Sequence, residues 1–214
     1  MDTSDNPLRG ATYVVAAHRI DQLPPDAGRE IAIAGRSNAG KSSAINALTA
    51  QAALARTSKT PGRTQQLVVF ALPDGRRLVD LPGYGYAKVP PALREHWHGV
   101  IDAYLRKRQS LCGLVLVADI RHAPAAFDHQ MLAFCAAIGL PCVMLLSKAD
   151  KLARAQVRTR LREVDAEIAK QGWRATTIPF SANAGTGVCT ARVAVASLLA
   201  NRAGAKTSDT DKSG

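Results

Sequence analysis

Residues 30–50 read EIAIAGRSNAGKSSAINALTA. Glu30 to Ala34 is a short apolar run with isoleucine at alternate positions, the pattern of a buried strand. Lys41 to Ala50 carries its apolar residues at helical spacing. Between them, Gly35-Arg36-Ser37-Asn38-Ala39-Gly40-Lys41-Ser42 matches G-x-x-x-x-G-K-[S/T]. A phosphate-binding loop needs that context, because the free amides of a helix N-terminus must point at the anion. Gly35 and Gly40 read as backbone turns closed to other residues. Lys41 supplies a point charge for the β and γ phosphates, and Ser42 a hydroxyl for Mg²⁺.

Outward from that stretch, short apolar runs alternate with longer helical patterns. Gln65 to Leu72 and Arg76 to Asp80 read as strands joined by a tight turn at Pro73-Asp74-Gly75. Ala92 to Arg108 reads as a helix, Gly113 to Asp119 as a buried strand, Ala125 to Ile138 as a helix and Cys142 to Ser147 as a strand. Leu152 to Lys170 is helical, Ala175 to Phe180 a strand, and Val188 to Arg202 a final amphipathic helix. This order predicts a three-layer α/β fold, with a mostly parallel six-stranded sheet, one antiparallel strand and helices on both faces. Residues 1–28 form an N-terminal extension in which Thr12 to Ala17 reads as an edge strand, 29–203 the main domain, and 204–214 a disordered tail. A length of 214 residues, 47% of them hydrophobic, suits one domain with a substantial core.

Three further segments decide which nucleotide the loop takes. Asp80-Leu81-Pro82-Gly83 closes a strand, where Asp80 holds Mg²⁺ through water and the Gly83 amide senses a γ-phosphate. Ser147-Lys148-Ala149-Asp150 follows an apolar strand, and the Asp150 carboxylate can accept from both N1-H and the exocyclic amine of guanine. Adenine presents an acceptor at N1 and no such amine, so a carboxylate there selects GTP over ATP. Phe180-Ser181-Ala182-Asn183 can supply an amide to guanine O6. Each is common alone, but the four occur in the order that a P-loop GTPase requires.

The chain resembles the EngB (YihA/YsxC) family of bacterial GTPases, within the larger group that includes Era, TrmE, EngA and the septins. The likeness spans roughly residues 11–200 and rests on four segments: Gly35 to Ser43, Thr57-Ser-Lys-Thr-Pro-Gly-Arg-Thr-Gln65, Asp80-Leu-Pro-Gly-Tyr-Gly-Tyr-Ala87 and Lys148-Ala-Asp150. It implies a first switch at Gly62, Arg63, Thr64, Gln65 and Gln66, with Thr64 on the Mg²⁺ and Thr60 as its competitor. It also implies a role in assembling the large (50S) ribosomal subunit and in cell division and septation. Asn38 has two readings: a ligand for K⁺ beside the phosphates, as in related GTPases, or a residue that only caps the loop.

Two departures bear on activity. Ser147 stands where most GTPases carry Asn, and a serine cannot reproduce both the donor and the acceptor of an amide, so base affinity or loop rigidity is expected to fall. Tyr84 follows Gly83 where Ras-type proteins place a water-orienting Gln, and a phenol is a poor base at neutral pH. Slow intrinsic hydrolysis is expected. Tyr84, Tyr86 and Lys88 are candidates for partner contact, with internal packing the alternative for Tyr84.

Charge adds a partner class. Lys plus Arg number 28 against 17 Asp plus Glu, a net +11, with a pI near 10.0. Basic residues gather at Arg76-Arg77, at Arg106-Lys107-Arg108, and at Arg154, Arg158, Arg160 and Arg162, where they either face nucleic-acid phosphates or form solvated helix faces. The surplus favours ribosomal RNA or another ribonucleoprotein partner. No apolar run of 18 residues occurs, and Met-Asp-Thr-Ser-Asp-Asn-Pro has neither a basic nor an apolar leader segment, so the expectation is a cytoplasmic protein without membrane insertion, monomeric by default. The four cysteines lack metal-ligand spacing and read as reduced thiols. The rival readings are a septation GTPase that never touches RNA and a P-loop small-molecule kinase, the latter leaving Lys148, Asp150 and Gly83 without a role.

Overall fold

The computed structural model describes residues 6–55, 66–84 and 91–200, with residues 91–98 described by their backbone alone. Seven strands form one sheet: β1 (Thr12–Ala17), β2 (Arg29–Gly35), β3 (Leu67–Ala71), β4 (Arg76–Asp80), β5 (Leu111–Asp119), β6 (Cys142–Ser147) and β7 (Ala175–Pro179). Their spatial order is β1-β3-β4-β2-β5-β6-β7. All pairings among β4, β2, β5, β6 and β7 are parallel, and β3 alone runs against its two neighbours, β4 and β1. The sheet therefore has one strand more than the six expected. The additional strand is the Thr12–Ala17 segment, which pairs with the otherwise open edge of β3.

Among the described residues five α-helices cover the sheet: α1 (Lys41–Thr49), α2 (Pro91–Lys107), α3 (Ala126–Ala137), α4 (Arg154–Lys170) and α5 (Val188–Ala200). The alternation along β2 sorts them into layers. Ile31 and Ile33 pack with Ile45 and Leu48 of α1 and Val195 and Leu199 of α5. Ala32 and Ala34 belong to the opposite core, with Ile101 and Tyr104 of α2, Met131 of α3, and Val164 and Ile168 of α4. Strand β5 has both faces covered, and its Leu111–Ala118 run is buried throughout, as a central parallel strand demands.

The segment before β2 is bound to this core. Leu8 is fully buried in the α1/α5 layer. Asn6 donates from Nδ2 to the Leu48 carbonyl at 2.9 Å, and Gln51 donates to the Ala11 carbonyl at 2.8 Å. At the turn between β3 and β4, Asp74 and Gly75 both take positive φ, 64° and 71°. Gly62, Arg63, Thr64, Gln65, Tyr86, Lys88 and the 204–214 tail lie outside the described residues.

Candidate nucleotide-binding site

The strands that carry the four motifs are parallel, so their carboxyl ends meet at one edge of the sheet, where open α/β folds place ligands. Strand β2 delivers Gly35 to Ser42, β4 delivers Asp80 to Gly83, β6 delivers Ser147 to Asp150, and β7 delivers Phe180 to Ala182. The sequence places these residues far apart; the topology brings them together.

The phosphate loop is held by main-chain bonds. Ser37 N–H donates to the Tyr84 carbonyl at 2.8 Å and Ala39 N–H to the Arg36 carbonyl at 3.0 Å. Gly40 caps α1 at φ 99°, a left-handed conformation, and Asn38 also takes positive φ, 63°, which Asn tolerates better than most residues. Gly35 is glycine for a different reason from the turn expected. A Cβ there would meet the Val117 carbonyl oxygen of β5 at 2.6 Å, so it is the close approach of two strands that excludes a side chain. The first amides of α1, at Lys41, Ser42 and Ser43, have no helical carbonyl to pair with and open toward the loop. Lys41 Nζ forms an ion pair with Asp80 Oδ1, and both groups are buried. Burial pushes the Asp80 carboxyl up, and the Lys41 ammonium opposes that shift.

The Ser147–Asp150 segment is fastened directly to this loop. Ser147 Oγ donates to the Ala39 carbonyl, and Lys148 Nζ donates to the Asn38 carbonyl at 2.7 Å. Lys148 itself sits at φ 59°. Its ammonium also pairs with Asp119 Oδ2 at 2.9 Å, and Asp119 in turn holds Arg121 at 2.7 Å. Burial raises the Asp119 carboxyl, but Arg121 and Lys148 outweigh it and hold the group far below the ordinary carboxylate range. Ser181 Oγ donates to Asp150 Oδ1 at 2.7 Å and accepts from Ala184 N–H at 3.0 Å. That hydroxyl is the main cause of the lowered Asp150 pKa, so the carboxylate stays ionised at neutral pH. Ser181 N–H is committed to the Thr186 carbonyl at 2.9 Å, and Ala149 N–H to the Phe180 carbonyl at 3.0 Å. The Ala182 amide has no hydrogen bond among the described residues.

Beyond Asp80, Leu81, Pro82, Gly83 and Tyr84 are all buried. The Tyr84 hydroxyl donates to Asp128 Oδ1, and its ring stacks on Phe127 with centroids 3.9 Å apart. The other Asp128 oxygen accepts from Ala125 N–H at 2.7 Å, closing the N-terminus of α3. Burial first, and the Asp128 charge second, push the phenol far above its ordinary value. Tyr84 is thus packed inside, as one of its two readings had it.

Asp119 and Asp128 were not assigned from the sequence. The available signals were an acid ending a buried strand two residues before Arg121, and an acid three residues after Ala125 at a helix start. Gln66, the described end of the expected first switch, contacts His18 Nε2 through Nε2 at 2.9 Å rather than any phosphate-loop group. Among the described residues no group of three or more His, Cys, Asp or Glu is arranged to hold a metal, and no helix is long and apolar enough to cross a membrane.

A three-layer α/β sheet with a phosphate loop after its second strand and these motifs at its carboxyl edge defines a P-loop GTPase domain. A family model described as a 50S ribosome-binding GTPase matches residues 30–148. A protein of Stenotrophomonas maltophilia (strain K279a), named probable GTP-binding protein EngB, is 54% identical over 193 residues, covering 90% of this chain and 96% of that one. Its namesake in Xylella fastidiosa (strain Temecula1) is 58% identical over 165 residues, covering 77% and 81%. This chain belongs to the EngB family of GTP-binding proteins. The crystal structure of a probable GTP-binding protein engB superposes with TM-score 0.64 at 25% identity, covering 80% of this chain and 98% of that one. A bacterial selenocysteine-specific elongation factor, at 21% identity and TM-score 0.58 over 81% of this chain and 29% of its own, shares the fold.

Proposed function

We propose that this protein binds GTP and GDP with Mg²⁺, hydrolyses GTP slowly, and uses the two states as a switch in assembling the large (50S) ribosomal subunit. It acts in the cytoplasm as a monomer, and normal septum formation and cell division depend on it. The observation that carries the nucleotide reading is the double fastening of Ser147 and Lys148 to the Ala39 and Asn38 carbonyls. It fixes the spacing between the group that reads a base, Asp150, and the loop that holds phosphates. Gly35 to Ser42 would wrap the phosphates, Asp150, Lys148 and Ala182 would hold guanine, and Gly62 to Gln66 would close over the γ-phosphate.

The donors fit Mg²⁺, a hard cation that takes oxygen ligands and keeps several waters. Ser42 and Thr64 would bind it directly and Asp80 through water, and the ion would neutralise charge on the β and γ phosphates. Hydrolysis is slow on this reading because the side chain after Gly83 is turned inward to Asp128 and cannot orient a water. The Asn38 side chain is exposed and makes no hydrogen bond with the described residues, which favours the K⁺ reading over a capping one. GTP turnover is accordingly expected to be faster in KCl than in NaCl at equal ionic strength. Equal rates in a phosphate-release assay would leave Asn38 without that role.

The ribosomal part of the reading draws support from the net +11 charge and from the description of the matching family. It is tested by cosedimentation with purified 50S subunits across a series of salt concentrations, with a non-hydrolysable GTP analogue and with GDP. Binding is expected to be tighter with the GTP analogue and to weaken steeply with salt. If neither nucleotide gives binding at any salt, the septum reading without RNA takes its place.

A further inference from the structure

We propose that an exposed flank of α4, through Arg154, Arg158 and Arg162, grips the phosphate backbone of RNA. The inference rests on the RNA partner proposed above and specifies the surface that meets it.

In the other two basic clusters every member but Lys107 has an acidic partner. Arg77 and Arg108 both bind the buried Glu30 carboxylate, at 2.7 and 2.8 Å. Arg76 lies 3.6 Å from Asp74, and Arg106 pairs with Asp102 at 2.8 Å while covering the Phe134 ring at 4.8 Å. Arg121 is paired with Asp119, and Lys151 with Asp150 at 3.3 Å. On α4 the pattern differs. Arg154, Arg158 and Arg162 are exposed and make no hydrogen bond or ion pair with the described residues.

None of the acids of the same helix bonds these three arginines. Glu163 takes Arg160 at 2.9 Å, and Glu167 Oε1 lies 3.0 Å from His129 Nε2 of α3. Asp165, which lies beside the arginine stripe, accepts from the Thr177 hydroxyl of β7. The four-residue spacing puts the three guanidiniums in one row about 12 Å long, enough to meet a few successive phosphates of one strand. Val157, Leu161, Val164 and Ile168, about a quarter turn round the helix from this row, are packed on the sheet.

At its N-terminus the charge distribution of α4 also departs from what helix stability favours. The first turn of α4 holds a cation and no acid, and the acids stand in its second half, although the positive end of a helix dipole prefers anions. A solvated face selected for stability alone would not be arranged so. Planar guanidiniums fit phosphate oxygens in pairs. No large exposed apolar side chain accompanies them on α4, so the face lacks the anchor that an interfacial membrane helix uses. The helix begins just after the Asp150–Lys151 turn, which places the first arginine close to the base-reading end of the nucleotide site.

The test uses the full chain with the GTP analogue and two probes, 50S subunits and naked large-subunit rRNA, titrated over a range of KCl. For R154Q/R158Q/R162Q the slope of log affinity against log [KCl] is expected to flatten by about 2 relative to wild type. Nucleotide affinity should be unchanged and thermal stability equal or higher, and the matching Arg→Lys triple variant should restore most of the slope. The control R19Q/K107Q/R174Q removes the same charge from other elements and should keep a slope near wild type. If wild type binds RNA and the α4 variant keeps its slope, or the control flattens equally, the α4 assignment falls while the RNA reading stands. If wild type binds neither RNA probe but binds phosphatidylglycerol vesicles through these arginines, a membrane replaces RNA. Binding to none of these probes overturns both the RNA reading and the α4 assignment.

Discussion

Asp150→Asn is expected to abolish the preference for guanine, weakening GTP binding by roughly 10²- to 10⁴-fold, the equivalent of two hydrogen bonds to a charged acceptor. The carboxylate is exposed enough to meet a base, and the Ser181 hydroxyl aims it at 2.7 Å and holds it ionised. An amide in its place presents one acceptor and one donor. Guanine offers two donors to that edge, so one polar contact becomes a donor facing a donor. Xanthine carries a carbonyl where guanine carries the amine, and the amide can satisfy it. The variant should therefore bind XTP better than wild type does, with Mg²⁺ dependence unaltered because Ser42 and Asp80 are untouched. Competition titrations of GTP, XTP and ATP against a fluorescent GDP probe measure all three. Retention of full GTP selectivity would remove Asp150 from the base site and, with it, the guanine reading of this edge of the sheet.

That prediction leans on Asp150 more heavily than an Asn-containing motif would require, and the structure refines the reason. From the sequence, Ser147 was expected to cost base affinity or loop rigidity. Its hydroxyl nonetheless donates to the Ala39 carbonyl, so the fastening of β6 to the phosphate loop is kept by a shorter side chain. On the proposed reading, the missing amide leaves base discrimination to Asp150 and the Ala182 amide. Lys148 is held from both sides, by the Asn38 carbonyl and by Asp119. The Asp119 partnership was beyond sequence reasoning because Asp119 ends β5 and Lys148 follows the last residue of β6, and only the β5–β6 pairing sets them side by side.

What was legible in the sequence shares a physical basis. The strands and helices are long enough to show their period, and the four motifs carry their chemistry in contiguous residues, so order along the chain was sufficient. Contacts between elements were not legible. Gly35 matched its motif, yet its requirement for glycine comes from the Val117 carbonyl across the sheet. Tyr84 gave two readings until Asp128 and Phe127 of the α3 region were seen to enclose it. The basic clusters looked equivalent as strings, and only their acidic partners separate Arg77 and Arg108, which are structural, from the α4 row.

Glu30→Ala is expected to destabilise the fold by about 3–5 kcal/mol, the usual cost of leaving buried cations without their counter-charge. Glu30 opens the Glu30–Ala34 run that reads as a buried strand. It is 1% exposed. Its carboxylate accepts from Arg77 Nη1 at 2.7 Å, from Arg108 Nη2 at 2.8 Å and Nε at 3.0 Å, and from the Tyr104 hydroxyl at 3.1 Å. Arg108 also donates to the Pro24 carbonyl at 2.7 Å, so one carboxylate joins the start of β2, the start of β4, the end of α2 and the segment before β2. Burial pushes the Glu30 carboxyl up, but the two arginines and the tyrosine outweigh it, and its folded pKa lies below the ordinary value. The sign of the linkage follows. The stabilisation is complete above the unfolded pKa, about 4.3 for a glutamate, and is lost as pH falls through the lower folded value. Urea denaturation at neutral pH should show the full difference between wild type and Glu30→Ala, and the difference should narrow in acid, where only wild type has that protonation to lose. Arg77→Ala should cost less, since Arg77 is partly exposed and Glu30 keeps Arg108 and Tyr104. A loss below about 1 kcal/mol at neutral pH for Glu30→Ala would mean that water reaches the freed arginines, and that the cluster is not the dry junction its geometry describes.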